Sequence, residues 1–120
     1  MLPLVLYHGT SALSWRNEMP SGVLYVANSQ EEAASYAYEA AACDEEEGFE
    51  PQPVVVVFSG NVIARLFDEG LIRFEPDWGG YGVTPKNTWL DTLDSFGSFC
   101  LAGDTEAVKR EAVTRMVDLT

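Results

Sequence analysis

The chain holds a single histidine, and it stands at the end of an apolar run, in Val5-Leu6-Tyr7-His8-Gly9-Thr10-Ser11. A neutral imidazole donates a hydrogen bond from one ring nitrogen and accepts one at the other. The glycine beside it has no side chain, so a second body can approach the backbone closely there. Two tyrosines follow at a fixed distance, Tyr25 in Gly22-Val23-Leu24-Tyr25-Val26-Ala27 and Tyr36 eleven residues later in Ala33-Ala34-Ser35-Tyr36. Two aromatic faces of this kind suit the stacking of a flat ring. Taken singly, each of these residues has a plainer explanation: His8 as a hydrogen-bonded loop histidine, Tyr25 and Tyr36 as core residues.

The other reactive residue types offer less. Cys43 and Cys100 stand far apart and have neither CxxC nor metal-ligand spacing, which reads as two free thiols in a reducing compartment. The acids concentrate in Cys43-Asp44-Glu45-Glu46-Glu47-Gly48-Phe49-Glu50, most simply a solvated loop after a helix. With seven basic residues and a net charge of -12, the chain lacks the Lys/Arg footprint of a nucleic-acid backbone binder. The acidity keeps the protein soluble or steers it toward a basic partner surface.

The elements that must position these residues follow from pattern. A chain of 120 residues fits one domain with a small core. Leu2 to Tyr7 reads as a buried strand, residues 9–21 as a loop with a helical turn around Leu13 to Trp15, and Gly22 to Ala27 as a second strand. Ser29 with Glu32 three residues on has capping-box spacing, and the alanine-rich stretch after it predicts a helix to about Ala42. Pro53-Val54-Val55-Val56-Val57-Phe58-Ser59-Gly60 is the clearest strand, buried on both faces. Further strands are expected at Leu71 to Glu75, at Ser98-Phe99-Cys100-Leu101-Ala102 before a Gly103-Asp104 turn, and at about Glu111 to Leu119, where a helix is the alternative. Thr88 to Ser95 predicts a short helix with Trp89, Leu90 and Leu93 inward. Pro76 to Gly82 is a glycine-rich loop carrying Trp78 and Tyr81, placed to cover the core edge or to line a binding site. The sum is a single α+β domain with several strands, one solid helix and long loops. No run reaches the about 18 apolar residues of a membrane span, and Met1-Leu2-Pro3-Leu4 is unlike a signal peptide, so a cytoplasmic protein with no membrane partner is expected.

Read together, Tyr7-His8-Gly9-Thr10-Ser11, Gly22 to Ala27 and Ala33 to Tyr36 resemble the ADP-ribosyltransferase superfamily, in its diphtheria-toxin-like and poly(ADP-ribose) polymerase branch with the His-Tyr-Glu signature. The spacing of Tyr25 and Tyr36 matches that branch. The resemblance covers residues 4–38 and, by order of elements alone, about 52–119, and it implies a small α+β fold with an antiparallel or mixed split sheet. It implies an NAD-dependent mono-ADP-ribosyltransferase that uses NAD as substrate and passes ADP-ribose to a macromolecular target, a protein in the first instance. His8 would bond the adenosine ribose, Gly9 the nicotinamide carboxamide through its backbone, Thr10 and Ser11 the ribose or the loop, and Tyr25 and Tyr36 would sandwich the nicotinamide. The family also places a glutamate at the head of a late strand, to stabilise a ribosyl-cation-like transition state. One such group is worth about 3–4 kcal/mol.

Here no glutamate heads Ser98 to Ala102. Asp94 is the first candidate for the acid, Asp91 the second, and Asp104 and Glu106 lie at the strand's far end; failing these, Ser98 or Phe96 stands in the acid's place. The short interval between His8 and Tyr25 implies an open site, one completed by a partner, or a fold kept for binding after catalysis was lost. The alternative to an enzyme is thus an inactive acidic interaction or inhibitor protein on the same fold. Compact proteins of this kind suit toxin or phage effectors. Tyr-His-Gly-Thr-Ser with Asn87-Thr88-Trp89-Leu90 also resembles the RNA 2'-phosphotransferase branch, but that branch needs more Arg and His than this chain has.

Overall fold

The computed structural model describes residues 5–17, 23–75 and 88–120. The start of the first expected strand and the glycine-rich loop with Trp78 and Tyr81 lie outside the described residues, as does Asn87. Six strands form one antiparallel sheet: β1 (Val5–Ser11), β2 (Val23–Ala27), β3 (Pro53–Ser59), β4 (Ile72–Phe74), β5 (Ser98–Gly103) and β6 (Val113–Asp118), in the order β4-β5-β2-β1-β3-β6. The helices are α1 (Ala12–Asn17), α2 (Gln30–Glu46), α3 (Gly60–Asp68), α4 (Trp89–Phe96) and α5 (Thr105–Ala107), the last running on into a π-helical turn, Val108–Ala112. The architecture is α+β, with helices on both faces of the sheet.

The valine run of β3 is central and buried from Pro53 to Phe58, as β-branched residues on a strand covered on both sides should be. Alternation along the strands sorts the side chains. Leu6, Leu24, Val26, Val56, Phe58, Phe99 and Leu101 pack on one face with Ile63 and Leu66 of α3, Trp89 and Leu93 of α4 and Val108. The other face lies under α2, whose buried residues are Ala33, Ala37, Ala41 and Asp44. Small alanines let the helix sit unusually close. A Cβ on Gly9 would fall 1.6 Å from the Ala33 carbonyl oxygen and 2.9 Å from the Ala37 nitrogen.

The sheet is divided. β1 pairs with β3 along its whole length, Val5 to Ser11, and β2 pairs with β5 through all five of its residues. Between the two halves, β1 and β2 share, among the described residues, the single register pair Tyr7↔Ala27.

Three sequence-based expectations change. β1 does not give way to a loop at Gly9: it carries His-Gly-Thr-Ser in strand conformation to Ser11, because Gly9, Thr10 and Ser11 are paired with Val55, Val54 and Pro53. Ser11 then caps α1, its Oγ accepting from the Ser14 N–H at 3.1 Å. The helix α2 runs past Ala42 to Glu46. Acids at a helix C-terminus oppose its dipole, yet Ala41 and Asp44 continue the face buried on the sheet, and the acidic run is therefore partly helical. A helix, α3, stands where none was expected. Ser59 caps it, accepting from the Val62 N–H at 3.3 Å, and Ile63 and Leu66 give it the apolar spacing of an amphipathic helix. The tail from Val113 is a strand, the first of the two readings given for it.

Candidate functional site

Strand alternation decides which candidates can meet. Tyr7 is paired with Ala27, so Tyr25, Ala27 and their β5 partners Cys100 and Ser98 share the face that Tyr7 and Gly9 present to α2. Tyr36 reaches that face from the helix. The rings of Tyr25 and Tyr36 meet with centroids 4.7 Å apart, tilted by 53°. The Tyr25 and Ser98 hydroxyls are hydrogen-bonded at 2.6 Å.

A hydrogen bond to Tyr25 is the largest cause raising the Tyr36 pKa well above the ordinary tyrosine value, followed by burial and by the charges of Tyr25, Glu32 and Glu39. The hydroxyls of Tyr36, Tyr25 and Ser98 thus follow one another, from the exposed Tyr36 to the buried Ser98, and either oxygen of the Tyr25–Ser98 bond can be its donor.

His8 sits on the opposite face. Its ring lies 5.8 Å from Trp15 and 6.4 Å from Phe58, on the side of the main core. It reaches back across the division of the sheet, its Nδ1 2.7 Å from the Tyr25 carbonyl oxygen. A carbonyl only accepts, so Nδ1 carries the proton and Nε2 keeps its lone pair. Burial is the main cause lowering the His8 pKa to about 4, the Tyr25 bond opposes it, and the charge of Lys109 adds to the lowering. Lys109 is close because its Nζ donates to the Trp15 carbonyl at 2.7 Å and lies 4.7 Å from the centre of the Trp15 ring. His8 is thus a neutral strut between β1 and β2, with one nitrogen already committed to the protein. Thr10 is buried on the same side of β1 as His8.

No family model, curated protein or solved structure matches the chain.

Of the expected site residues, then, the fold brings Gly9, Tyr25 and Tyr36 together under α2 and places His8 and Thr10 on the far side of the same strand. Gly9 has a packing reason to be glycine, the closeness of Ala33. The tyrosines touch each other and do not stand apart. A flat ring between two others needs them about 7 Å apart, two contact distances of about 3.5 Å, and the observed 4.7 Å leaves no such slot until Tyr36 swings outward.

Of the four acids considered from sequence, two are engaged as helix caps and two are exposed. Asp91 accepts from the Thr88 N–H at 3.0 Å in the capping box of α4. Asp104 accepts from the Ala107 N–H at 3.0 Å and caps α5. Asp94 and Glu106 are exposed on α4 and α5. Ser98 heads β5, in the place where the resemblance calls for an acid.

One acid does reach this corner, and it comes from the other side. Helix α4 ends at Gly97, in a left-handed conformation with φ 77°, and the Gly97 carbonyl accepts from the Asn28 N–H at 2.9 Å. A Cβ on Gly97 would meet Glu32 Oε2 at 3.3 Å and Asn28 Oδ1 at 3.4 Å. Glu32 is half-buried in the first turn of α2. Its N–H donates to Ser29 Oγ at 3.3 Å, and its carboxylate lies against the start of β5. Sequence reasoning saw this residue as a cap partner alone. Its position four residues before Tyr36, on one helix face, was the signal available. Among the described residues no group of three or more His, Cys, Asp or Glu side chains is placed to hold a metal ion, and no helix is long and apolar enough to cross a membrane.

Proposed function

We propose that the protein is an NAD-dependent mono-ADP-ribosyltransferase that transfers ADP-ribose to a macromolecular target, a protein in the first instance. The observation that carries this reading is the meeting of Tyr25 and Tyr36 at the head of β5, 4.7 Å apart. The two aromatics that the resemblance assigns to nicotinamide come from a strand and a helix, and they converge at the start of the late strand. The division of the sheet between β1 and β2, with His8 at the crossing, supports it further. His8 Nε2 has the lone pair to accept from a ribose hydroxyl, while Nδ1 stays with Tyr25. In this reading NAD is a substrate, and its nicotinamide displaces Tyr36 from the face of Tyr25.

Ligand-observed NMR of NAD with the purified protein, beside Tyr36→Ala and with nicotinamide release followed in the same tube, tests the proposal. The expected result is saturable NAD binding that Tyr36→Ala weakens about tenfold, the scale of one aromatic stack. Binding of NAD that ignores Tyr36→Ala, or none at millimolar NAD, refutes the site.

A second reading is favoured by the closed tyrosine pair and by Ser98 in the acid's place: an interaction protein that presents its acidity, with a net charge of -12, to a basic partner. Such an association weakens steeply as salt is raised; a partner held equally well at high ionic strength argues against it.

A further inference from the structure

We infer that Glu32 supplies the catalytic carboxylate at this site, from the first turn of α2 and not from the late strand. The inference rests on the functional reading above and adds a residue that the sequence resemblance does not assign.

Three features of the geometry support it. The carboxylate is at the right corner. Gly97 immediately precedes Ser98, and Glu32 Oε2 lies 3.3 Å from the position of a Gly97 Cβ, so the charge stands over the start of β5 although β5 contributes a serine there. The carboxylate is also at the right offset from the stacking ring. Glu32 and Tyr36 are four residues apart on one helix face, about 6 Å along the axis, and the Glu32 charge is felt at the Tyr36 hydroxyl. The reacting ribose carbon is bonded directly to the nicotinamide nitrogen, so a carboxylate about one helical turn from the stacking aromatic is within reach of the ribose. Finally, the geometry leaves the carboxylate available to a ligand. Glu32 takes part in the α2 cap through its backbone N–H, and glycine at position 97 opens the space the side chain occupies. A Cβ there would come within 3.3 Å of the carboxylate, which would have to give by a few tenths of an ångström, and the residue would have to adopt φ 77°.

The chemistry balances with these groups. The bond between the ribose C1' and the nicotinamide nitrogen breaks, and both electrons leave with the nicotinamide, which departs neutral. The Glu32 carboxylate stabilises the positive charge that develops on the ribose. A lone pair of the acceptor, a target side chain or water, forms the new bond to C1'. The acceptor's proton passes to Glu32 and from there to solvent.

The test compares wild type, Glu32→Gln and Glu32→Asp, with Glu46→Gln as a same-helix control for the loss of one charge. NAD binding is read by ligand-observed NMR, nicotinamide release with water and added amine and hydroxyl acceptors, and folding by thermal melting. Glu32→Gln keeps the backbone N–H of the cap, so it is expected to melt with the wild type and to hold NAD within about threefold, while nicotinamide release falls about 100-fold or more. Glu32→Asp keeps the charge but draws it back by one methylene, and is expected to lose about tenfold or more in release. Release by both Glu32 variants equal to that of wild type and Glu46→Gln overturns the role of Glu32 and leaves the functional reading standing. A wild type that holds NAD and releases no nicotinamide to any acceptor also overturns it. A wild type that does not bind NAD overturns the functional reading itself.

Discussion

Acidification should weaken the fold through one side chain, His8. In the folded protein its pKa is lowered to about 4, chiefly by burial, whereas in the unfolded chain it titrates near 6.5. Between those values the unfolded state binds a proton that the folded state refuses, so stability falls as pH drops from 6.5 toward 4. Each pH unit of that interval is worth 1.36 kcal/mol, which gives about 3 kcal/mol in all, a large part of the stability of a small domain. Carboxylates titrate in the same range, and His8→Gln removes their contribution by comparison. The glutamine can still donate to the Tyr25 carbonyl but carries no titrating proton. Urea unfolding of wild type and His8→Gln at pH 7, 6, 5 and 4, followed by tryptophan fluorescence, should show the two stability curves diverging by about 3 kcal/mol toward acid, with the wild type falling faster. Because His8 is the only histidine, its ring protons also give an unambiguous NMR titration. A midpoint at pH 6 or above, or parallel stability curves, would refute the reasoning.

Two more expectations follow from neighbouring contacts. Lys109→Met removes a charge that helps hold the His8 pKa down, so the His8 NMR midpoint should move upward, toward neutrality; a downward or absent shift contradicts the geometry of the Lys109, Trp15 and His8 cluster. Gly9→Ala places a methyl 1.6 Å from the Ala33 carbonyl oxygen and can be accommodated only if α2 lifts from the sheet. It should cost about 3 kcal/mol or more in urea unfolding, and a cost under 1 kcal/mol would show that the helix is not seated where described.

The residues that announced the fold were those with one dominant physical preference. Four consecutive valines make β3 a strand whatever surrounds it, and an alanine-rich stretch behind Ser29 makes α2 a helix. α3 was hidden because Gly60, right after the valine run, reads as a strand end, although Ser59 and the spacing of Ile63 and Leu66 carried the helical signal. The end of α2 was hidden because an acidic run looks solvated, and only the sheet beneath Ala41 and Asp44 shows that the helix has a reason to continue. In the site, the resemblance set Tyr25 and Tyr36 on either side of a flat ring; that the two rings touch each other was not legible. Nor was the placement of His8. Assigned to a loop, it had no side of its own; as part of a strand, alternation puts it opposite Gly9. Glu32 escaped because a cap accounts for its backbone and says nothing of where its carboxylate goes.

His8 and Tyr36 lie on opposite faces of the sheet, and among the described residues β1 and β2 are held there by one register pair and the bridge from the His8 ring to the Tyr25 carbonyl. A molecule that bridges the two residues by the direct route crosses that seam, like a pin through a hinge. Its binding and the spacing of the two half-sheets are then one equilibrium. Whatever wedges the seam open lowers the barrier to entry, and whatever threads it locks β4-β5-β2 to β1-β3-β6.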